Sequence, residues 1–488
     1  MRKGPIRILA EQTMLYGLGT IVPRFMNYAI LTPFYTRILG LSEYGIVSEL
    51  YAYMAVLLVL LTYGMETAFF RFASNDKNPE KVFHATVTSI GFTSVIFLGL
   101  ILLFLEPVSQ FMEYETHKEY ILFFTGIVAL DAFTAIPFAK LRLENKGLKF
   151  GLIKLANVTV IIAIVFVFLY LLPEIGQKSG NNGIIKKIND ADIGVGYVFI
   201  ANLFGSLISL LLLMGEFKGY KPVINWRLWK SMFNYALPLL IAGLFGILNE
   251  SFDKIVLKRL VVAKNQGLAI LGEYSANYKI AVLMTLFIQM FRYAVEPFFF
   301  KEAKKKNPEI LYAKVMLYFI LFALVVYIGI IINLKIVILL IGKNYRGGVG
   351  IVPVVLAANV LYGIFINLSV WYKINDKTWY ATLINGTGVI ITLIINITLI
   401  PVFSYYASAW GHVLAYIVMV LTSYFIGKRI YPIPYNIKRI MLYLIGFGVF
   451  YLIIRHYDYL NNFIYLITFN GLLLISIFAI YKLEKKKI

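Results

Sequence analysis

An arginine stands in the middle of the apolar run GTIVPRFMNYAI, residues 19–30. A cation at the centre of a bilayer costs roughly 2.5–3.5 kcal/mol even on the mildest insertion scale, so Arg24 needs a partner or a task. Thr13, Thr20, Arg24 and Asn27 are spaced by seven, four and three residues, which puts them on one face of a helix. Lipid cannot satisfy such a stripe, so it must face protein or a water-filled cavity. Two roles stay open. Arg24 is interhelical glue paired with a carboxylate such as Asp131 or Glu66, or it lines a cavity. In a cavity its planar guanidinium suits the oxygens of a phosphate.

Other charges in apolar surroundings extend this pattern. Lys279, Thr285, Gln289, Arg292 and Glu296 fall on one later run. Lys279 is near its outer end and can snorkel, whereas Arg292 can pair with Glu296 one turn away. Alternatively, Arg24, Arg292 and Lys279 stand at graded heights in one cavity. Asp131 is a lone acid midway through an apolar run, suited to proton or cation coupling or to pairing with Arg24. In NESFDKIVLK, Glu250 and Lys254 are spaced as an i,i+4 pair, with Asp253 and Asn249 on a neighbouring face. This segment reads as a solvated helix end, and Asp253 as a secondary charge partner.

Familiar catalytic patterns are missing. DAD at 190–192 is too short and common to carry nucleotide-sugar chemistry, and GGVG at 347–350 lacks the frame of a P-loop. His84, His117, His412 and His456 are scattered without metal-ligand spacing. The chain has no cysteine, which excludes thiolate metal sites and cysteine nucleophiles. The longest outer loop, about 173–193, is too small for a catalytic domain. Nothing in these patterns looks like an enzyme, and no cofactor or metal is expected beyond H+ or Na+ at a group such as Asp131.

The elements that must position these residues follow from composition. Of 488 residues, 60% are hydrophobic and 15% charged, with a mean hydropathy of +0.78; soluble domains carry about 25% charged residues. Apolar runs of about 20 residues recur along the whole chain, each long enough to cross the hydrocarbon as a helix. The expectation is an all-α polytopic membrane protein of about fourteen spans, the first near 10–36 and the eighth near 274–298. With the N-terminus inside, the basic clusters Lys301/Lys304/Lys305/Lys306, Lys428/Arg429/Lys438/Arg439 and Lys482/Lys485/Lys486/Lys487 all fall in the cytoplasm. That asymmetry is the positive-inside signal, and it places both termini inside. The net charge of +21 is therefore mostly topological. It adds attraction to anionic membrane lipids and gives no reason to invoke nucleic acid.

The chain also carries a copy of itself. Residues 42–73 align without gaps with 272–303, matching Glu43-Tyr44 to Glu273-Tyr274, Glu66 to Glu296 and Phe69-Phe70 to Phe299-Phe300. Each block runs on into KNPE, and Asn157, Thr159 and Pro173 match Asn385, Thr387 and Pro401. Six spans separate equivalent points, so the repeats are parallel, related by an axis along the membrane normal. The expected domains are 1–216 (spans 1–6), 217–430 (spans 7–12) and 431–488 (spans 13–14). Such halves commonly rock around a site at their interface.

RFMNYAILTPFYTRILGLSEYGIVSEL followed by TYGMETAFFRFA resembles the first two spans of polysaccharide or O-antigen repeat-unit flippases. These belong to the multidrug/oligosaccharidyl-lipid/polysaccharide (MOP) exporter superfamily. LGEYSANYKIAVL is similar to that family's entry to span 8, and LINGTGVIITLIINITLIPVFSYYASAWGHVLAYIV to its spans 11 and 12. The resemblance implies a bacterial inner-membrane protein with two six-helix lobes in a V and two further helices. It would move an undecaprenyl-pyrophosphate-linked oligosaccharide outward by alternating access, alongside polysaccharide polymerase machinery. It also implies a cationic cavity holding the pyrophosphate, onto which Arg24, Arg292 and Lys279 map, with Asn27 and Thr20 beside them. Asp131, Glu66 and Glu296 depart from a purely cationic cavity and enter as coupling groups or charge partners. The same fold would serve a lipid II flippase or a multidrug/cation antiporter, the latter favouring acidic groups. A membrane polysaccharide polymerase or ligase would need a large outer loop that this chain lacks.

Overall fold

A computed structural model describes residues 19, 21–75, 78–178, 193–223, 225–303, 306–375, 377–457 and 462–485. The described residues are overwhelmingly helical and contain no strand. A helix satisfies its backbone within the segment, which hydrocarbon demands. Contacts divide the chain into two compact units, Met1–Gly272 and Glu273–Ile488.

In the first unit a helical stretch over 21–26 runs through a π-helical turn at Asn27–Leu31 into Thr32–Ile38 (21–38 together α1). There follow α2 (Leu41–Thr62), α3 (Met65–Asn75), α4 (Pro79–Leu103), α5 (Leu105–Met112), α6 (Lys118–Leu143), α7 (Gly147–Phe166), α8 (Gly196–Leu213) and α9 (Trp226–Leu260). The second unit holds most of α10 (Gly267–Glu302), then α11 (Pro308–Ile332), α12 (Val352–Leu368), α13 (Trp379–Phe403), α14 (Tyr405–Ile430), α15 (Ile437–His456) and α16 (Asn462–Lys485). Among the described residues, twelve helices are long and apolar enough to cross a membrane. Of the fourteen spans expected, the first begins outside the described residues. The eighth lies in α10, whose 36 residues extend about 54 Å.

Capping residues start several helices. Asn78 accepts from the Lys81 N–H at 3.3 Å ahead of Pro79, and Asn225 and Asn436 do the same for α9 and α15. Span 2, expected as one helix over 46–70, is broken by Tyr63 (φ 33°) and Gly64 (φ 73°) into α2 and α3. At the break the Tyr63 hydroxyl meets Ser89, which also accepts from Trp229 Nε1 at 2.7 Å. α9 packs on α2, α3 and α4, so contacts place it in the first unit although the sequence repeat begins near 217. Apolar residues also cover the outside: Phe92, Val95, Leu102 and Leu103 on α4 are 62–74% exposed. An apolar patch of that kind belongs against lipid.

The second unit packs around Trp371, Tyr312, Phe299, Ile384 and Met419. Polar pairs pin its helices: Asn359 donates to the Ala281 carbonyl at 3.0 Å, and Ser408 to Asn396 at 2.8 Å. α15 and α16 dock on α11. Asn333 and Asn470 exchange amide hydrogen bonds at 3.1 and 3.3 Å, and Lys335 reaches Asn462 at 3.2 Å. GGVG sits in a 3-10 turn packed on α10, where Asn277 donates to the Tyr345 carbonyl at 2.6 Å. A Cβ at Gly347 would stand 2.2 Å from Glu273 Oε1, so close packing accounts for its glycine.

Candidate functional site

The first unit gathers charge where α1, α3, α6 and α7 meet. Just ahead of α1 the chain crosses α7 backbone to backbone, since a Cβ on Gly19 would lie 2.8 Å from the Gly151 Cα. Arg24 is five residues beyond Gly19 and Lys154 three beyond Gly151, so both stand within two turns of the crossing. Arg24 is exposed, and Asn27 opens the π-turn one helical turn on. A π-turn in a helix frequently marks a functional position. Thr20 lies outside the described residues.

Along α6, Asp131, Phe138 and Arg142 are spaced by seven and four residues and share one stripe. Arg142 forms an ion pair with Glu66 of α3, and its guanidinium lies 4.9 Å from the Phe70 ring centre. The Lys154 ammonium sits 3.9 Å over the Phe138 ring, within Coulombic reach of Asp131, Glu66, Arg142 and Arg24. Three cations and two carboxylates therefore share this corner.

Asp131 opens on a cavity of about 250 Å³ with Tyr51, Asn157, Asn202 and Ser206 among its lining residues. The Ser206 hydroxyl donates to Asp131 Oδ1 at 2.7 Å, and Asn157 donates to Ser209 at 3.0 Å. Carboxylate, amide and hydroxyl oxygens together suit a hydrated cation or a proton. In the loop before α7, Lys146 bonds Glu144 at 2.6 Å and Glu216 at 3.4 Å. The bond to Glu144, with help from Glu216, holds the Lys146 ammonium above its ordinary pKa.

The second unit repeats one of these pairs. Lys373 donates to Glu296 Oε1 at 2.6 Å, and Arg292 stands 3.8 Å from the same oxygen. Glu66 and Glu296 are equivalent in the sequence repeat, and each pairs with a cation of its own unit, Arg142 and Lys373. Lys279 is thirteen residues from Arg292 on α10, about 20 Å along the axis, so the two do not converge on one group.

Asp253 differs from expectation. It is fully buried and accepts from the Lys254 N–H at 2.9 Å and from Lys254 Nζ at 3.2 Å. Lys254 also donates to the Glu250 carbonyl at 2.8 Å, so this is no solvated helix end. A second buried pair also went unread. Glu49, 0% exposed, accepts from Tyr114 at 2.7 Å and from Lys258, 5% exposed, at 3.1 Å.

Arg142, Lys154 and Lys373 are not among the residues that the sequence singles out. The signal that could have found Lys154 is its i,i+3 spacing to Asn157 inside an apolar run.

Comparison with known proteins decides the family. Residues 9–302 match the family described as "Polysaccharide biosynthesis protein", which is more than half of the chain. The chain belongs to the polysaccharide biosynthesis protein family. No curated protein matches it by sequence. Solved structures supply the fold of this family member. It is similar to the lipid II flippase MurJ in an inward closed conformation, at 15% identity and a TM-score of 0.74, covering 96% of this chain and 99% of that one. An inward-facing multidrug resistance MATE family transporter of the MOP superfamily matches at 14% identity and a TM-score of 0.64, covering 86% and 98%. A MOP superfamily transporter from Pyrococcus furiosus, whose title reports a binding pocket of reverse polarity, matches at 14% and 0.57, covering 88% and 97%. This polysaccharide biosynthesis protein is thus a multi-pass membrane protein with the fold of MOP superfamily transporters.

Proposed function

We propose that this chain is a flippase for a lipid-linked oligosaccharide. It carries an undecaprenyl-pyrophosphate repeat unit from the cytoplasmic to the outer leaflet of a bacterial inner membrane, with both termini in the cytoplasm. The observation that carries this reading is the corner where Arg24, Lys154 and Arg142 outnumber Glu66 and Asp131. An excess of cations suits pyrophosphate, and guanidinium binds its oxygens in pairs. A multidrug/cation antiporter would call for the opposite excess. The family's part in polysaccharide biosynthesis supports the oligosaccharide cargo, and hand-over to a polymerase on the outer side would follow. Translocation needs no bond to be made or broken, so the chain acts as a transporter and not as an enzyme. Asp131 is the natural coupling group, taking a proton or sodium ion in its polar cavity.

A lipid II cargo is the second reading, favoured by the length over which the chain follows a structure named as a lipid II flippase. The test is Arg24→Ala in cells that depend on this chain for surface polysaccharide. Export should be lost while membrane abundance and thermal stability hold, with Arg24→Lys intermediate. Losing one charge-assisted contact of about 1.5–3 kcal/mol weakens binding roughly ten- to over a hundredfold. A fall in abundance rescued by a second change at Asp131 or Glu66 would make Arg24 structural glue. Rescue of a lipid II flippase deletion, without polysaccharide export, would favour the second cargo.

A further inference from the structure

One side chain stands between the cavity acid and the phosphate corner. On α7, Lys154 and Asn157 are three residues apart and share a face, and Asn157 lines the cavity with Asp131. On α6 the stripe Asp131, Phe138, Arg142 rises about 10 Å and then about 6 Å along the axis. The Phe138 ring, beneath the Lys154 ammonium at 3.9 Å, is thus between the cavity acid and the Arg142–Glu66 pair. The Gly19–Gly151 crossing lies within two turns of both Arg24 and Lys154. The charged groups facing Lys154 are therefore Asp131 and Arg142 from α6, Glu66 from α3 and Arg24 from α1. Its aromatic neighbour Phe138 offers no hydrogen-bond acceptor to fix the ammonium. An ammonium on a flexible four-carbon stem can turn to whichever neighbour carries the stronger negative charge.

We propose that Lys154 couples the Asp131 cavity to phosphate binding at Arg24. The idea rests on the pyrophosphate reading above and adds a positioning residue to it. While Asp131 is an empty carboxylate, its negative charge draws the Lys154 ammonium toward the cavity and away from Arg24. A proton or sodium ion on Asp131 cancels that negative charge, and Lys154 joins Arg24 on the phosphate. Nothing is transferred between the two sites except the position of one positive charge. By linkage the effect is reciprocal: phosphate bound at Arg24 and Lys154 must strengthen cation binding at Asp131 by the same factor.

Inorganic pyrophosphate is the probe, titrated calorimetrically into the purified full-length protein at constant pH and ionic strength. Asp131→Asn imitates the neutralised acid. It should tighten pyrophosphate binding about tenfold, within the usual range of coupling between two sites. The gain should vanish in Asp131→Asn/Lys154→Met and in Asp131→Asn/Lys154→Gln, and persist in Asp131→Asn/Lys154→Arg. Thermal unfolding of each variant identifies the neutral replacement that stays folded. If Asp131→Asn tightens binding equally without a cation at position 154, Asp131 acts on Arg24 directly and the proposal is overturned. If Asp131→Asn changes nothing while Arg24→Ala abolishes binding, the proposal is overturned and the phosphate reading stands. Pyrophosphate binding that ignores Arg24→Ala would overturn the phosphate reading instead.

Discussion

Replacing Lys258 with methionine should destabilise the first unit more than any surface change. Glu49 is 0% exposed and Lys258 5%, so neither charge has water to fall back on. Lys258 also donates to the Met112 carbonyl at 2.9 Å, whereas its third contact, Glu113 at 3.3 Å, is 60% exposed. The exposed contact contributes within about 1 kcal/mol. The buried one decides the outcome: removing one partner of a buried pair costs about 3–5 kcal/mol, because it strands the other charge. Tyr114 still donates to Glu49 in the variant, which puts the expected loss at the lower end, about 3 kcal/mol. Lys258→Met/Glu49→Gln should recover most of that loss, since no bare charge remains. The assay is thermal unfolding of detergent-purified protein followed by size-exclusion fluorescence, with membrane abundance measured in parallel. Equal stability of Lys258→Met and wild type would refute the argument, as would a double variant no better than the single.

Two further outcomes follow from the architecture. Reporter fusions after Lys81, Lys149 and Lys306 should read cytoplasm and those after Lys118 and Gly180 outside; reversal of an adjacent pair would break the parallel repeat. Asn333→Leu alone should loosen α16 from α11 by roughly 0.6 kcal/mol, read as faster protease cleavage between α14 and α15. Asn333→Leu/Asn470→Leu should restore the wild-type rate, because no amide is then left unmatched.

The spans were legible because a bilayer imposes length and apolarity directly, and α6, α11, α13 and α14 lie close to where hydropathy puts them. The sequence repeat matches Glu66 to Glu296, and each acid pairs with a cation of its own unit, Arg142 and Lys373. The break at Tyr63–Gly64 was not legible. There a Cβ on Gly64 would lie 2.8 Å from the Ala236 carbonyl of α9, a tertiary approach that no local pattern reports. Asp131 stood out as an acid in an apolar run, but its partner Ser206 is 75 residues away. Arg142 and Lys154 were hidden for a different reason. They stand near helix ends where topology already calls for positive charge, so a functional cation there looks like an orienting one. Asp253 misled in the opposite sense: the charges around it look like a helix end in water, yet it is fully buried.

The central claim is that this chain moves a lipid-linked oligosaccharide across a bilayer, and reconstitution tests it most directly. Purified protein in vesicles would be given undecaprenyl-pyrophosphate oligosaccharide in one leaflet. Appearance of the sugar in the other leaflet is then read with a lectin that cannot enter. The account predicts transfer by the wild type that is abolished by Arg24→Ala and competed by excess lipid-linked pyrophosphate without sugar. Transfer unchanged by Arg24→Ala, or no transfer by folded protein while a cationic drug is exported, would contradict it.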